Sequence, residues 1–253
     1  MADETLNATV VARTDLSDRI AIVRVAPRGW ELPRHEPGQH ATLGLPDPAD
    51  PAKLLRRVYS IASAPGADHF EFCLQLVKEG PLTSRLWPLV AGDALHLSPK
   101  VGGAFTLAGV PDGADLMLLA SGTGLAPYLS MLRAFRGTGR WGRCAVVHGA
   151  RHAVELGWQA ELRHWSAEDG DISYLPLVTR DSGWNGARGR IQALLASGEL
   201  EQRAGLHLDP ARCHVFLCGH PGLIDDTEKL LVPRGFRQWK PEGGGNLHFE
   251  RWW

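Results

Sequence analysis

Cysteine is scarce here: four residues, Cys73, Cys144, Cys213 and Cys218, with no CxxC spacing and a single pair, Cys213 and Cys218, separated by four residues. The clustered thiolates of an iron–sulfur or zinc site are therefore not expected, so no metal is assigned and any such cluster would sit on a partner. Three of the four lie in apolar runs (FEFCLQLV, RCAVVHG, FLCG) and read as small buried hydrophobes in a reducing compartment. Neither charge is in excess, with 27 Lys and Arg against 28 Asp and Glu. That balance argues against nucleic acid as a partner but leaves room for a local basic patch. Long apolar runs are absent too, and the segment MADETLNATVVA begins with acidic residues, so neither a signal peptide nor a membrane span is expected. The cytoplasm is the expected location.

What is present is ordinary for a globular chain, 44% hydrophobic and 22% charged over 253 residues, a length that predicts two domains. Residues 1–109 read as short strands between Pro, Gly and Asp turns: ATVVART, IAIVRVA, HATLGLP, RVYSIAS, FEFCLQLV and ALHLSP. Six such strands without helical repeats predict a closed antiparallel β-barrel. From Ala114 apolar strands alternate with amphipathic helices: DLMLLAS then APYLSMLRAF, CAVVHGA then AVELGWQAELRHW, ISYLPLVT then IQALLASG, HVFLCG then PGLIDDTEKLL. This alternation predicts a Rossmann-like α/β domain with a parallel sheet over 110–253.

The segment Leu116–Pro127, LMLLASGTGLAP, runs a buried strand into Gly122-Thr123-Gly124 and then a helix. Glycines 122 and 124 lack the Cβ atoms that would hold a pyrophosphate off the backbone, and the helix start offers unpaired N–H groups. Pro127 stands where a Rossmann fingerprint has its third glycine, so the turn alone equally fits an ordinary strand-to-helix connection. Context comes from the next strand, CAVVHGAR, which ends in Arg151 where NAD-specific sites place a carboxylate. Arg151, Arg180 (LVTRD) and Arg190 (RGRI) together predict a pocket for a 2′-phosphate, and NADP(H) in preference to NAD(H). Arg188 reads instead as a solvated loop residue. In the first half, strand alternation puts Arg57 and Tyr59 of RVYS on one face and Ser60 on the other. That pattern fits a flavin, its pyrophosphate on Arg57 and its ring on Tyr59, and also a plain amphipathic strand. In GPLTSRL, Thr83 or Ser84 is expected to cap the helix TSRLWPLV and offers a second phosphate contact.

The ordered set RVYS, GPLTSRL, SGTGLAP, HGAR, VTR, GRI, CG and a terminal Glu-x-Trp-Trp resembles the plant-type ferredoxin NADP reductase superfamily. It is most similar to bacterial flavodoxin/ferredoxin NADP reductases whose chain ends in two aromatics. The resemblance spans nearly the whole chain. It implies an FAD-binding barrel over 1–109 and an NADP(H)-binding domain over 110–253, whose aromatic tail returns to the flavin. It implies that Arg57, Tyr59, Ser60, Thr83 and Ser84 hold FAD, with Trp253 on the adenine. Gly122, Thr123, Gly124, Arg151, Arg180 and Arg190 would hold NADP. Ser60, Cys218, Glu250 and Trp252 would form the reacting centre. Many relatives have Tyr at the position of Trp252, and the preceding KPEGGGNLHF suggests a more mobile tail. The implied activity is FAD-mediated transfer between NADPH and ferredoxin or flavodoxin, by a monomer. A free-standing flavin, ferric or oxygenase-component reductase, or a non-catalytic flavin-binding sensor, would share the same scaffold.

Overall fold

Apolar residues alternating with polar ones carry the chain through β1 (Ala8–Asp15), β2 (Ile20–Pro27), β3 (His40–Pro46), β4 (Leu54–Ser60), β5 (Phe70–Gln75) and β6 (Ala94–Gly102). The structure, a computed structural model, describes residues 6–251. All ladders among these six strands are antiparallel, in the order β4-β3-β6-β1-β2-β5. Register shifts at Val10/Ala12 and Ala41/Leu43 bend the sheet around a core that includes Leu43, Ile61, Phe70, Phe72, Leu95 and Leu97.

The expected closure of the barrel is corrected: no ladder joins β4 to β5 among the described residues. β4 ends at Ser60, and Ile61 N donates to Gln39 O across to the segment before β3. The two edges still meet, through Ala62 N to Glu71 O at 2.8 Å and through the rings of Tyr59 and Phe72, 6.4 Å apart.

The expected helix TSRLWPLV is a single turn, α1 (Thr83–Leu86), because Pro88 has no N–H with which to continue it. Its N-cap is Leu82, not Thr83 or Ser84. Both hydroxyls donate backwards, Thr83 Oγ1 to Val77 O at 3.1 Å and Ser84 Oγ to Gly80 O at 2.7 Å. The preceding turn presents those carbonyls, and a Cβ on Gly80 would lie 2.5 Å from Thr83 Oγ1.

A second sheet is wholly parallel: β7 (Asp115–Ser121), β8 (Cys144–Ala150), β9 (Ile172–Val178), β10 (Cys213–Cys218) and β11 (Leu247–Phe249), in the order β11-β10-β7-β8-β9. Its central strands are continuous apolar runs because they are buried on both faces. The connecting helices are α2 (Ala126–Phe135), α3 (Gln159–Glu168), α4 (Ile191–Ala196), α5 (Glu199–Ala204) and α6 (Pro221–Leu231). The run expected as one helix, AVELGWQAELRHW, is broken by Gly157 and by Trp158, whose φ of 55° is left-handed. Neither α5 nor β11 is evident in the sequence pattern. The three glycines before β11 close a turn, with Lys240 and Gly244 bonded in both directions at 2.9 Å, and Val215 N then donates to Asn246 O to start the ladder.

By internal contacts the first unit comprises the described residues to Thr106 together with Ala126–Ala134, and the second comprises Leu107–Leu125 and the described residues from Phe135. Polar bonds account for the placing of α2 with the first unit: Ser130 Oγ donates to Ser63 O at 2.8 Å, and Arg133 Nη1 donates to Ala62 O at 2.9 Å and Glu71 Oε1 at 2.7 Å. No helix among the described residues is long and apolar enough to cross a membrane.

Candidate functional site

In the second unit the chain leaves β7 for β8 on one side and returns to β10 on the other. The switch point of the sheet therefore lies at the C-terminal ends of β7 and β10, the place where open α/β sheets bind ligands. Gly122 (φ +56°) opens a 3₁₀ turn over Gly122–Leu125 that runs into α2. A Cβ on Gly124 would lie 2.2 Å from Cys218 O. On the facing turn, Gly219 (φ +133°) would place a Cβ 2.3 Å from Ser121 Oγ, and His220 N donates to that hydroxyl at 2.9 Å. Gly122 thus answers a backbone conformation and Gly124 the close packing of two turns. The sequence reading assigned both to a phosphate; the structure shows what else they do.

At the ends of β8 and β9, Arg180 N donates to Arg151 O at 2.8 Å, which brings the two residues side by side. Arg190 begins α4, two residues after the bridge from Arg188 to Val178 of β9. All three are exposed, and none of their side chains makes a hydrogen bond or ion pair among the described residues. Arg188 differs, donating to the carbonyls of Asp181, Ser182 and Trp184, so it stiffens its own loop. Glu155 is the nearby carboxylate, and its Oε2 accepts from the backbone N–H groups of Arg151 and His152.

Pairing of Leu217 with Phe249 places the next residues, Cys218 and Glu250, together at the end of the sheet. Burial pushes the Cys218 thiol well above its ordinary value, and the neighbouring Glu250 adds to the shift. Burial also raises Glu250 to about 7, and its Oε2 is buried with no partner among the described residues. Arg251 holds this segment to α6, bonding Asp225 Oδ1 at 2.9 Å and Glu228 Oε2 at 3.0 Å while lying over the Phe249 ring. Trp252 and Trp253 lie outside the described residues.

In the first unit, Arg57 and Tyr59 share a face of β4, a strand with a ladder on one side only. Arg57 is exposed, and its Nη1 donates to the neighbouring Arg56 carbonyl at 2.8 Å. The Tyr59 hydroxyl is buried with no partner among the described residues, and burial pushes it up to about 12. Ser60 is half-buried at the strand end, paired with His40.

These features fit a dinucleotide and a flavin: three unpartnered guanidiniums, two interlocked glycine turns, and orphaned polar atoms on Tyr59 and Glu250. Sequence reasoning missed His148, which is buried on β8 with Nε2 3.0 Å from Gly122 O, and the Arg251 clamp. Both depend on strand adjacency, which no local spacing encodes.

Comparison with known proteins agrees with this geometry. Residues 118–229 match the family model for the oxidoreductase NAD-binding domain. The flavodoxin/ferredoxin–NADP reductase of Escherichia coli strain K12 is 34% identical over 192 residues, 76% of each chain. Ferredoxin–NADP reductase A of Sorangium cellulosum is 37% identical over 210 residues, 79% of this chain and 74% of that one. The same fold appears in the crystal structure of a ferredoxin NADP+ reductase from Neisseria gonorrhoeae with bound FAD and NADP. The TM-score is 0.87 at 24% identity, with 98% of each chain covered. By its similarity to these curated relatives, the chain belongs to the flavodoxin/ferredoxin–NADP reductase family.

Proposed function

We propose that this protein is an FAD-dependent oxidoreductase that exchanges a hydride with NADP(H) and single electrons with ferredoxin or flavodoxin. The observation that carries the reading is the set of three arginines, Arg151, Arg180 and Arg190, whose side chains have no partner among the described residues and which follow β8 and β9 at the same edge of the sheet as the glycine turn after β7. FAD supplies the chemistry, accepting two electrons as hydride and returning them singly. The first unit's Arg57 would bind its pyrophosphate, joined by Thr83 once its hydroxyl turns from Val77 O, while Ser84 supports that turn, Tyr59 would bind the isoalloxazine and Ser60 would orient its reacting edge. Thr123, with Gly122 and Gly124, receives NADP, and the three arginines take its 2′-phosphate. Cys218 lines the nicotinamide pocket as a neutral thiol. Glu250 holds or releases a proton at Oε2, where its raised value suits proton traffic near neutral pH. Trp252 and Trp253, which the resemblance assigns to the flavin and its adenine, lie outside the described residues. FAD is held by 1–109 and NADP(H) by 110–253, in a monomer acting in the cytoplasm.

The test is anaerobic titration of the purified yellow protein with NADPH and with NADH, followed by cytochrome-coupled turnover with ferredoxin and with flavodoxin. Bleaching by NADPH in preference to NADH and turnover with either carrier are expected. A chain that contains no flavin and gains no activity with added FAD, or that uses both nucleotides equally, overturns the reading.

A further inference from the structure

We propose that His148 is a positioning residue for the dinucleotide, fixing the Gly122–Thr123 peptide so that the Thr123 N–H faces a bound pyrophosphate. This rests on the function proposed above and adds a residue that touches no ligand. His148 stands on β8 opposite Ala120 of β7, two residues before Gly122. Its ring is 1% exposed, and Nε2 lies 3.0 Å from Gly122 O. A carbonyl only accepts, so Nε2 is the protonated nitrogen and Nδ1 keeps its lone pair. That Nδ1 is buried with no partner among the described residues. Burial pulls the imidazole down to about 4, so the ring is neutral and its tautomer fixed at neutral pH.

A leucine or phenylalanine would fill this space without stranding a ring nitrogen, at lower desolvation cost. What histidine alone adds is a donor to Gly122. That donor acts where orientation is least determined, because Gly122 is in the left-handed region and a glycine tolerates either setting of the peptide that follows. In a trans peptide the C=O and the N–H point in opposite directions. Holding the Gly122 carbonyl towards β8 therefore turns the Thr123 N–H away from the sheet. It then points to the start of the helical segment, where first-turn N–H groups have no partner within the helix.

The experiment is calorimetric titration of the flavin-loaded wild type, His148→Leu, His148→Asn and His148→Gln with NADP+ and with 2′-AMP, alongside KM and kcat for NADPH with ferricyanide. The 2′-AMP probe carries the 2′-phosphate but no pyrophosphate. His148→Leu is expected to weaken NADP+ roughly tenfold and raise KM while leaving 2′-AMP binding unchanged. His148→Gln, whose amide reaches the place of Nε2, should restore most of the affinity. His148→Asn is one bond too short to do so and serves in place of the leucine variant if that does not fold. Unchanged NADP+ affinity in both the leucine and asparagine variants overturns the inference, as does equal loss of both ligands without rescue by glutamine. A wild type that binds neither ligand overturns the proposed function itself, and this inference with it.

Discussion

Glu250 is the carboxylate of the candidate site that burial shifts, and its charge is predicted to cost stability as pH rises towards about 7. Burial raises its carboxyl from an ordinary 4.5 to about 7, so the folded protein binds a proton there that the unfolded chain has released. A raised value favours the folded state below the ordinary value, and this contribution is lost as pH climbs through the folded one. Between about 4.5 and 7 the expected loss approaches 1.4 kcal/mol per pH unit. Urea unfolding at several pH values should show that slope in the wild type and a flatter profile in Glu250→Gln, with the limb near pH 7 in kcat for NADPH gone as well. Identical profiles for the two proteins would show that Glu250 does not titrate there. The residue types of the site were legible in short strings, since Arg151 and Arg180 each end an apolar strand and Cys218 precedes a glycine. The environments that tune them were not. That Glu250 Oε2 is buried with no partner among the described residues, or that His148 meets Gly122, depends on residues distant in sequence.

At the level of elements, α2 matters because it continues directly from the glycine turn yet is bonded to strands of the first unit. Its anchor is Glu71, an acidic residue 1% exposed inside apolar β5, which accepts from Arg133 Nη1 and Arg24 Nε at 2.7 Å each. Burial pushes the Glu71 carboxyl up, but bonds from Arg133 and then Arg24 outweigh it and hold it below its ordinary value. Its contribution to stability is thus present above the ordinary carboxylate value and lost as pH falls through the depressed one. Arg133→Met removes the more buried of the two arginines that pair with this carboxylate, and a loss of about 3 to 5 kcal/mol is expected. The double variant with Glu71→Leu should recover most of it, and a loss under about 1 kcal/mol in the single variant would show that the pair does not anchor α2. Periodicity located most of the elements, because buried parallel strands and alternating antiparallel ones carry distinct patterns. It missed β11, a three-residue strand that exists only by pairing with β10, and it ran one helix through Trp158, where the backbone turns left-handed. It also read closure into six strands, which sequence alone cannot tell from an open sheet whose edges meet through Tyr59 and Phe72.

For the whole molecule, charge sets how nucleotide choice responds to salt. With 27 basic and 28 acidic side chains the protein is nearly neutral, so its overall field supplies little long-range attraction for an anionic nucleotide. The proposed preference for NADPH is then expected to come from the local cluster of Arg151, Arg180 and Arg190, each contact being worth about 1.5 to 3 kcal/mol when charge-assisted. Exposed groups at the ends of β8 and β9 are open to screening, and the Debye length falls from roughly 20 Å near 0.02 M ionic strength to about 6 Å near 0.3 M. KM for NADPH is therefore expected to rise several-fold across that range while KM for NADH, which lacks the 2′-phosphate, changes far less. Arg151→Gln should lower NADPH selectivity roughly tenfold and reduce the salt dependence with it. Arg188→Gln should alter neither, because that guanidinium is already committed to the carbonyls of Asp181, Ser182 and Trp184. Steady-state kinetics of the four combinations of nucleotide and salt on each variant separate these cases. Equal salt response for NADPH and NADH in the wild type would mean that the arginines do not meet the 2′-phosphate, and that the selectivity arises elsewhere in the chain.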